Sequence, residues 1–283
     1  MMKNKDYKFI NVKKISGALG AIIEGVDLIN EMNDDILKEI KKAFLENLVI
    51  FFQNIKFTPE TYLDFAKKFG IPIIYPFVKG LKEFPEITPI LKTETDKNVF
   101  GGVWHSDTTY LNKPPMATML YALEVPDYGG DTVFSNQYLS YKELSPKMKN
   151  FLKGLKALSI SGKSNVVKTR SDAIKRSSSG MKGDELSAVH PVVRTHPDTL
   201  MKSLYINEAH TLKFNELTEE ESKPILDFLF KHQIKSDFTC RFKWKMGSLA
   251  IWDNRCTLHY PINDYIGKRR LMHRITFKGC EPK

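Results

Sequence analysis

Three residues in this chain could together hold one metal ion. His105 and Asp107 are two positions apart, and residues i and i+2 of an extended strand point to the same face. An imidazole nitrogen and a carboxylate oxygen on one face can bind the same cation. His259, in the segment Trp252–His259, offers a third ligand. Two histidines and one carboxylate on one side of a metal leave the opposite positions open, as in non-haem Fe(II) oxygenases.

Two arginines near the C-terminus could bind a dicarboxylate beside such a metal. Arg270 and Arg274 are four positions apart, so on a strand they share a face. The planar guanidinium is always charged and matches a carboxylate better than lysine does. Thr132, which follows Gly129, Gly130 and Asp131, could add a hydroxyl donor. The sequence therefore predicts a cosubstrate site next to the metal.

The elements predicted around these residues are mainly short strands. Capping residues followed by apolar residues at helical spacing predict four helix starts, at Asn33 or Asp34, at Thr58, at Ser145 and at Thr218. Strand-like runs are predicted at 86–92, 103–110, 116–123, 132–135, 190–195, 203–206, 238–244, 248–252 and 271–278. We expect a mainly β fold, a sandwich or jelly roll with flanking helices.

One segment, residues 161–188, differs from the rest of the predicted single domain (1–283). It is polar, rich in serine and basic residues, and weakly periodic. We interpret it as a long mobile insertion that acts as a lid, or as a solvated insertion without function.

Composition narrows the class of protein. The 283 residues carry a formal net charge of +10, but the basic residues are dispersed and no basic arm is present. A nucleic-acid partner is therefore not expected. The positive charge could instead attract small anionic substrates, or it could reflect a generally lysine-rich proteome, which is the interpretation we favour. The three cysteines form no CxxC pair, and no run of 18 apolar residues is present. Because the first residues are charged and no apolar run follows them, we do not expect a secretory signal. We expect a cytoplasmic location and no membrane association.

Several ordered segments resemble the TauD/TfdA family of Fe(II)- and 2-oxoglutarate-dependent dioxygenases. They are Trp104–Tyr110, Pro114-Pro115, Gly129–Thr132, Trp252–Tyr260, Asp264-Tyr265 and Arg269–Arg274. The resemblance extends from Gly20 to Gly279, and it implies a double-stranded β-helix (jelly-roll) core. It also implies a small organic substrate, dioxygen as a second substrate, and a homodimer or homotetramer.

The resemblance assigns roles to individual residues. It implies that His105, Asp107 and His259 bind the iron. It implies that Thr132 and Arg270 bind the distal carboxylate of 2-oxoglutarate.

Further positions match the family's substrate pocket. Arg274 matches an arginine that faces the substrate anion beside the cosubstrate. Tyr75 matches a tyrosine of the pocket, and the backbone at Thr108 corresponds to one that approaches the substrate.

Other pocket positions depart from the pattern of the taurine-oxidising members. Pro72 stands where those members have a histidine that binds the sulfonate, Gly101 where they have an asparagine, and His210 where they have a phenylalanine. His210 could replace the missing cationic donor from another wall, or it could fill space.

The predicted reaction is hydroxylation of a small anionic substrate, first of all a sulfonate such as taurine or a relative, with release of succinate and CO₂. A sulfate ester, carboxylate, phosphonate or amino acid is the alternative substrate. A non-catalytic ligand-binding jelly roll is the alternative of a different class.

Overall fold

Strands outnumber helices in the computed structural model, which describes residues 6–181 and 186–283. The helices are α1 (Asp34–Asn47), α2 (Pro59–Phe69), α3 (Gln137–Lys142), α4 (Pro146–Leu152), α5 (Ser164–Ser177) and α6 (Glu219–Gln233). The strands are β1 (Asn11–Lys14), β2 (Ala21–Glu24), β3 (Val49–Phe52), β4 (Pro72–Ile73), β5 (Thr88–Lys92), β6 (Ala117–Glu124), β7 (Thr132–Asn136), β8 (Lys156–Ile160), β9 (Ser187–Pro191), β10 (Val193–Thr195), β11 (Lys202–Leu204), β12 (Thr211–Phe214), β13 (Thr239–Phe242), β14 (Leu249–Asp253), β15 (Thr257–Pro261) and β16 (Arg270–Phe277).

Helix starts form where capping side chains satisfy free backbone N–H groups, as predicted. The Asn33 side chain accepts hydrogen bonds at the start of α1, and Ser145 does so at the start of α4. Thr58 precedes Pro59 in α2, and Thr218 forms a capping box in α6. All four predicted helix starts are confirmed.

Two facing sheets form the core that carries the site. The larger has the order β1-β2-β3-β14-β6-β16-β4, and β5 pairs with the first part of β16. All of its pairs are antiparallel except β2 with β3. The smaller sheet has the order β13-β7-β15. This mainly β jelly roll with flanking helices confirms the predicted fold class.

Alternating side chains bury both faces of the larger sheet. Phe52 packs in a cluster with Phe44 of α1, on the helical side. Phe51, the preceding residue, points to the smaller sheet and joins a cluster with Phe134 and Phe242. The Phe51 and Phe242 rings stack with centroids 3.9 Å apart. The region between the sheets is therefore well packed except where the polar residues of the site enter it.

The remaining strands form a second layer over one end of the site. β12-β8-β9 make a three-stranded sheet and β10-β11 a two-stranded one. Helices α4 and α6 pack on them through an apolar cluster that includes Leu152 and Leu229. Among the described residues, no helix has the length and apolar character that a membrane crossing requires.

The predicted strand at 103–110 is wrong. Only His105 pairs there, in an isolated bridge with His259, and Thr108 has a φ of 47°. The hydroxyl of Ser106 donates to the backbone oxygen of Asn254 at 2.6 Å, and the segment turns at residues 107–110. The residue types of this run resemble a strand, but its buried polar contacts hold the backbone away from the sheet.

The segment 161–188 is more regular than expected, because it contains the 14-residue helix α5. Residues 182–185 of this segment lie outside the described residues. Movement of the segment as a lid stays a prediction.

Candidate active site

His105, Asp107 and His259 meet between the two sheets. Their ligand atoms all lie within 4.8 Å of one another. His105 Nε2 is 3.7 Å from Asp107 Oδ1, and the two imidazole centroids are 4.0 Å apart. The backbones of the two histidines also exchange hydrogen bonds of 3.1 and 2.8 Å. This bridge brings residues 154 positions apart (259 − 105) to one point.

Both histidines are in the state that binds metals. Burial lowers the pKa of His105, although Asp107 and the carbonyl of Val103 oppose that effect. Burial, followed by repulsion from His105, holds the pKa of His259 well below 6.5. The Nδ1 of His105 lies 2.7 Å from the Val103 oxygen, so in the neutral ring Nδ1–H donates to it and Nε2 keeps its lone pair. Neutral imidazole is the form that ligates a metal.

Asp107 is ionised although it is buried. Burial alone would raise its pKa, but His259, Arg274 and His105 lower it, and a hydrogen bond from Thr118 adds to that effect. The net result is a pKa of about 2. Two neutral imidazoles with one carboxylate fit a divalent iron ion, so the residues suit this metal.

A chain of buried hydrogen bonds orients the carboxylate. Thr118 Oγ1 donates to Asp107 Oδ2 at 2.5 Å, and Asn254 Nδ2 donates to Thr118 Oγ1 at 2.8 Å. Asn254 Oδ1 accepts from the indole of Trp252 at 3.0 Å. The sequence analysis missed the role of Thr118 and Asn254; Asn254 lies in a segment that carried the family resemblance, whereas nothing near Thr118 signalled it.

A cavity lies beside the three residues, between the sheets. Thr132, Arg270 and Arg274 all line it, together with His105 and His259. Its other walls are apolar and include Ile90, Leu120 and Trp252.

The polar atoms at the end of this cavity are prepared for an anion. Arg270 is 4% exposed, and among the described residues its Nε and Nη2 have no hydrogen-bond partner. Thr132 Oγ1 accepts from the indole of Trp244 at 3.0 Å, which leaves the hydroxyl proton available for a ligand. Two unpaired donors of a buried guanidinium are costly unless an anion binds. This cradle therefore suits the distal carboxylate of 2-oxoglutarate. Trp244 is a further residue that the sequence analysis missed.

A second cavity opens on the other side of His105 and Arg274. The predicted substrate residues all line it, namely Tyr75, Gly101, Thr108, His210 and Arg274. The two cavities share His105, Phe100 and Arg274. A substrate in one and a cosubstrate in the other would therefore meet at the metal site.

Arg274 is held rigidly at this junction. Its guanidinium carbon lies 4.1 Å from the centroid of the Tyr75 ring and 5.3 Å from that of Phe100. Its Nη1 is 3.8 Å from Asp107 Oδ1. Within residues 6–181 and 186–283, its Nε and Nη2 have no hydrogen-bond partner. Two donors of a buried cation are thus available to a substrate anion.

His210 is not a cation in this environment. Burial, followed by repulsion from His105 and Arg170, holds its pKa well below 6.5. Its ring packs edge-on to Tyr110, with centroids 4.9 Å apart, and Nδ1 has no partner among the described residues. In these surroundings His210 offers a neutral donor or acceptor, and its role toward the substrate stays a prediction.

Gly101 and Pro72 are the other two positions that depart from the family pattern, and only Gly101 lines the second cavity. Gly101 has a φ of 76°, and a Cβ there would lie 2.8 Å from Cε1 of His105. Pro72 begins β4, where it pairs with Phe277. It is not among the described residues that line the second cavity.

Helix α5 contributes a wall that the sequence did not predict. Val166, Thr169 and Arg170 all line the second cavity. The Arg170 guanidinium lies over the Phe77 ring at 4.5 Å, and its Nη2 donates to the Ser161 oxygen at 2.5 Å. The helix is therefore anchored next to the site rather than extended into solvent.

A second group of possible metal ligands, His196, Asp253 and Cys256, is structural. His196 Nδ1 accepts from the backbone N–H groups of Asp198 and Thr199, and Nε2 donates to Asp253 at 3.0 Å. Both ring nitrogens are engaged, so this histidine has none left for a metal.

Comparisons with known proteins agree with this geometry. The family model described as "Taurine catabolism dioxygenase TauD, TfdA family" matches residues 11–276. The alkylsulfatase of Acinetobacter baylyi is 30% identical over 280 residues, which cover 95% of this chain and 85% of that protein. The alpha-ketoglutarate-dependent sulfonate dioxygenase of Saccharomyces cerevisiae is 30% identical over 281 residues, covering 95% of this chain and 66% of that protein.

A solved structure is similar over nearly its whole length. The crystal structure of a taurine dioxygenase from Burkholderia xenovorans superposes with a TM-score of 0.83 at 31% identity, covering 97% of this chain and 93% of that one. Together with the His-Asp-His site, these matches set aside a non-catalytic jelly roll. The chain belongs to the TauD/TfdA family, and it is an Fe(II)- and 2-oxoglutarate-dependent dioxygenase.

Proposed function

We propose that this enzyme hydroxylates a small organic anion whose head group is a sulfonate or a sulfate ester, with sulfonates, taurine among them, as the first class to test. The observation that carries the proposal is the buried guanidinium of Arg274, which has two free donors at the junction of the two cavities. The named activities of the relatives, on alkyl sulfates and sulfonates, support the same class.

In this proposal His105, Asp107 and His259 hold the iron. Iron and 2-oxoglutarate together supply the activation of dioxygen that hydroxylates a substrate C–H bond and yields succinate and CO₂. The chain's own contribution is to hold two neutral imidazoles and one ionised carboxylate on one side, and to keep Asp107 oriented through Thr118. Arg270 and Thr132 hold the distal carboxylate of 2-oxoglutarate.

The substrate head group is held by several polar atoms at once. Beside Arg274, the buried hydroxyl of Thr108 and Nδ1 of His210 have no partner among the described residues, and both residues line the same cavity. Together with the two free donors of Arg274, these groups can supply hydrogen bonds to each oxygen of a three-oxygen head group. The rings of Tyr75 and Tyr110 provide apolar walls for the rest of the molecule.

The carbon atom that is hydroxylated determines the products. A carbon that bears both a new hydroxyl and a sulfonate expels sulfite and becomes an aldehyde. A carbon that bears a hydroxyl and a sulfate ester expels sulfate and becomes the same aldehyde. The inorganic product therefore reports which bond the bound substrate contained.

The test uses substrates that differ only in the head group. A sulfonate, a sulfate ester, a phosphonate and a carboxylate of one alkyl chain are compared, with taurine and its amino-acid analogues, by substrate-stimulated succinate release and by detection of sulfite or sulfate. We expect turnover of the two sulfur compounds. Turnover of the carboxylate or phosphonate alone would overturn the proposed class.

Two more features of the molecule belong to this proposal. Because α5 lines the substrate cavity, we propose that residues 161–188 control access to it, which protease cleavage with and without substrate would test. We also expect a homodimer or homotetramer, to be measured by light scattering.

A further inference from the structure

Lys92 is a buried lysine whose charge has no visible partner. It is 4% exposed, and its Nζ has no hydrogen-bond partner among residues 6–181 and 186–283. Its closest aromatic contact is the ring of Tyr265, with Nζ 4.7 Å from the centroid. A cation–π contact offsets only part of the free energy needed to remove an ammonium ion from water. Such a charge requires an anion nearby.

The position of Lys92 in the sheet makes the need for an anion greater. Lys92 on β5 is the direct cross-strand partner of Arg270 on β16. Both side chains are buried, at 4% exposure each. Like charges directly opposite each other in an antiparallel pair destabilise the sheet. The register therefore places two buried basic residues opposite each other on neighbouring strands, with Asp131 as a carboxylate that acts on Arg270.

Tyr265 connects the two cations. A Cβ at Gly130 would lie 3.3 Å from Cδ1 of Tyr265 and 3.5 Å from Cδ of Arg270, so both side chains occupy the space over this glycine. Burial raises the pKa of Tyr265, and Arg270 opposes that effect, which also indicates their proximity. The Tyr265 ring therefore has Lys92 as one neighbour and Arg270, which lines the cosubstrate cavity, as another.

We propose that Lys92 is a positioning residue for 2-oxoglutarate. It lies opposite Arg270 and against the ring of Tyr265, and its positive charge adds to that of Arg270 in attracting the distal carboxylate. The inference rests on the placement of that carboxylate at Arg270, as proposed above. The cosubstrate dianion then relieves the repulsion between the two cations. Lys92 makes the enzyme discriminate between 2-oxo acids with and without a second carboxylate.

The test compares Lys92→Met with the wild type and with Lys97→Met, which removes an exposed lysine of the following loop. Iron-loaded protein is titrated anaerobically with 2-oxoglutarate and with 2-oxopentanoate, which has the same chain length but no distal carboxylate. Binding is followed by the visible absorption band, and thermal stability is measured without ligand. Succinate release gives kcat at saturating 2-oxoglutarate.

We expect Lys92→Met to weaken 2-oxoglutarate about tenfold, equivalent to about 1.4 kcal/mol. Binding of 2-oxopentanoate and kcat at saturation should stay as in the wild type. Because the substitution removes one of two adjacent buried cations, the ligand-free protein should melt at a higher temperature. Lys92→Arg, which keeps the charge, should retain most of the affinity, and Lys97→Met should change nothing.

Two results would overturn the proposal. One is an unchanged affinity of Lys92→Met for 2-oxoglutarate. The other is an equal loss for both 2-oxo acids together with a lower melting temperature, because that would indicate distortion. Arg270→Met separates the two proposals: if it fails to weaken 2-oxoglutarate, the placement of the cosubstrate is wrong, whereas failure of Lys92→Met alone removes only the role of Lys92.

Discussion

Replacing Thr118 with valine should reduce iron binding without touching any metal ligand. Thr118 is fully buried, and valine has nearly the same shape, so the substitution removes one hydroxyl and little else. That hydroxyl donates to Asp107 Oδ2 at 2.5 Å and accepts from Asn254 Nδ2 at 2.8 Å. The substitution therefore breaks two buried hydrogen bonds, one of them to a charge.

The magnitude follows from these two bonds. A hydrogen bond to a charged group contributes about 1.5–3 kcal/mol, and an amide left without its acceptor costs about 1–3 kcal/mol. We expect Thr118→Val to lose about 2.5–6 kcal/mol of unfolding free energy. Loss of a partner that orients a ligand weakens metal binding by about 10- to 100-fold, and we expect iron affinity to fall within that range.

The assay has two parts and one matched control. Urea denaturation gives the unfolding free energy of the metal-free protein, and anaerobic titration gives the iron affinity. Thr276→Val is the control, because Thr276 is buried and is the cross-strand partner of Thr118, yet the hydroxyl that Asp107 accepts from is that of Thr118. If Thr118→Val binds iron as tightly as the wild type, or no more weakly than Thr276→Val, the orienting role of this hydroxyl is refuted.

Three further predictions follow from the same site. Thr108→Val should raise the substrate KM about tenfold with kcat nearly unchanged, because one net hydrogen bond of about 1.4 kcal/mol is lost. Steady-state succinate release measures both constants. Thr108→Gly should in addition raise the melting temperature, because glycine adopts the positive φ of this position without strain. Gly101→Ala should weaken iron binding in anaerobic titration, since its Cβ would lie 2.8 Å from the His105 ring; unchanged iron affinity would contradict this. The metal-free protein should lose stability as pH falls from 7 to 5: burial lowers the pKa of His105 and His259 from 6.5, so the unfolded chain binds more protons there. Denaturation at the two pH values checks the sign, and equal unfolding free energies would contradict it.

The sequence by itself was enough to predict the chemistry of the site. Metal ligation needs particular residue types, and His105, Asp107 and His259 are recognisable from type, spacing and family resemblance. The helix starts were equally accessible, because a cap such as Thr218 acts within three residues of itself. Short strand-like runs bounded by Gly, Pro, Asn and Asp also indicated most strands of the two facing sheets.

Local patterns failed where distant residues decide the outcome. The residue types in 103–110 predicted a strand, but contacts with Asn254 turned that segment away from the sheet. Helix α5 has weak periodicity because it packs on the substrate cavity through only a few residues, such as Val166 and Arg170.

Charge and burial were decided only by the tertiary structure. The structure makes His210 neutral by burying it next to His105, and it orients Asp107 through Thr118, which lies on a neighbouring strand. It also brings Lys92 opposite Arg270 through the register of β5 and β16. Desolvation and cross-strand register depend on distances in space, which cannot be deduced from residue type and spacing along the chain.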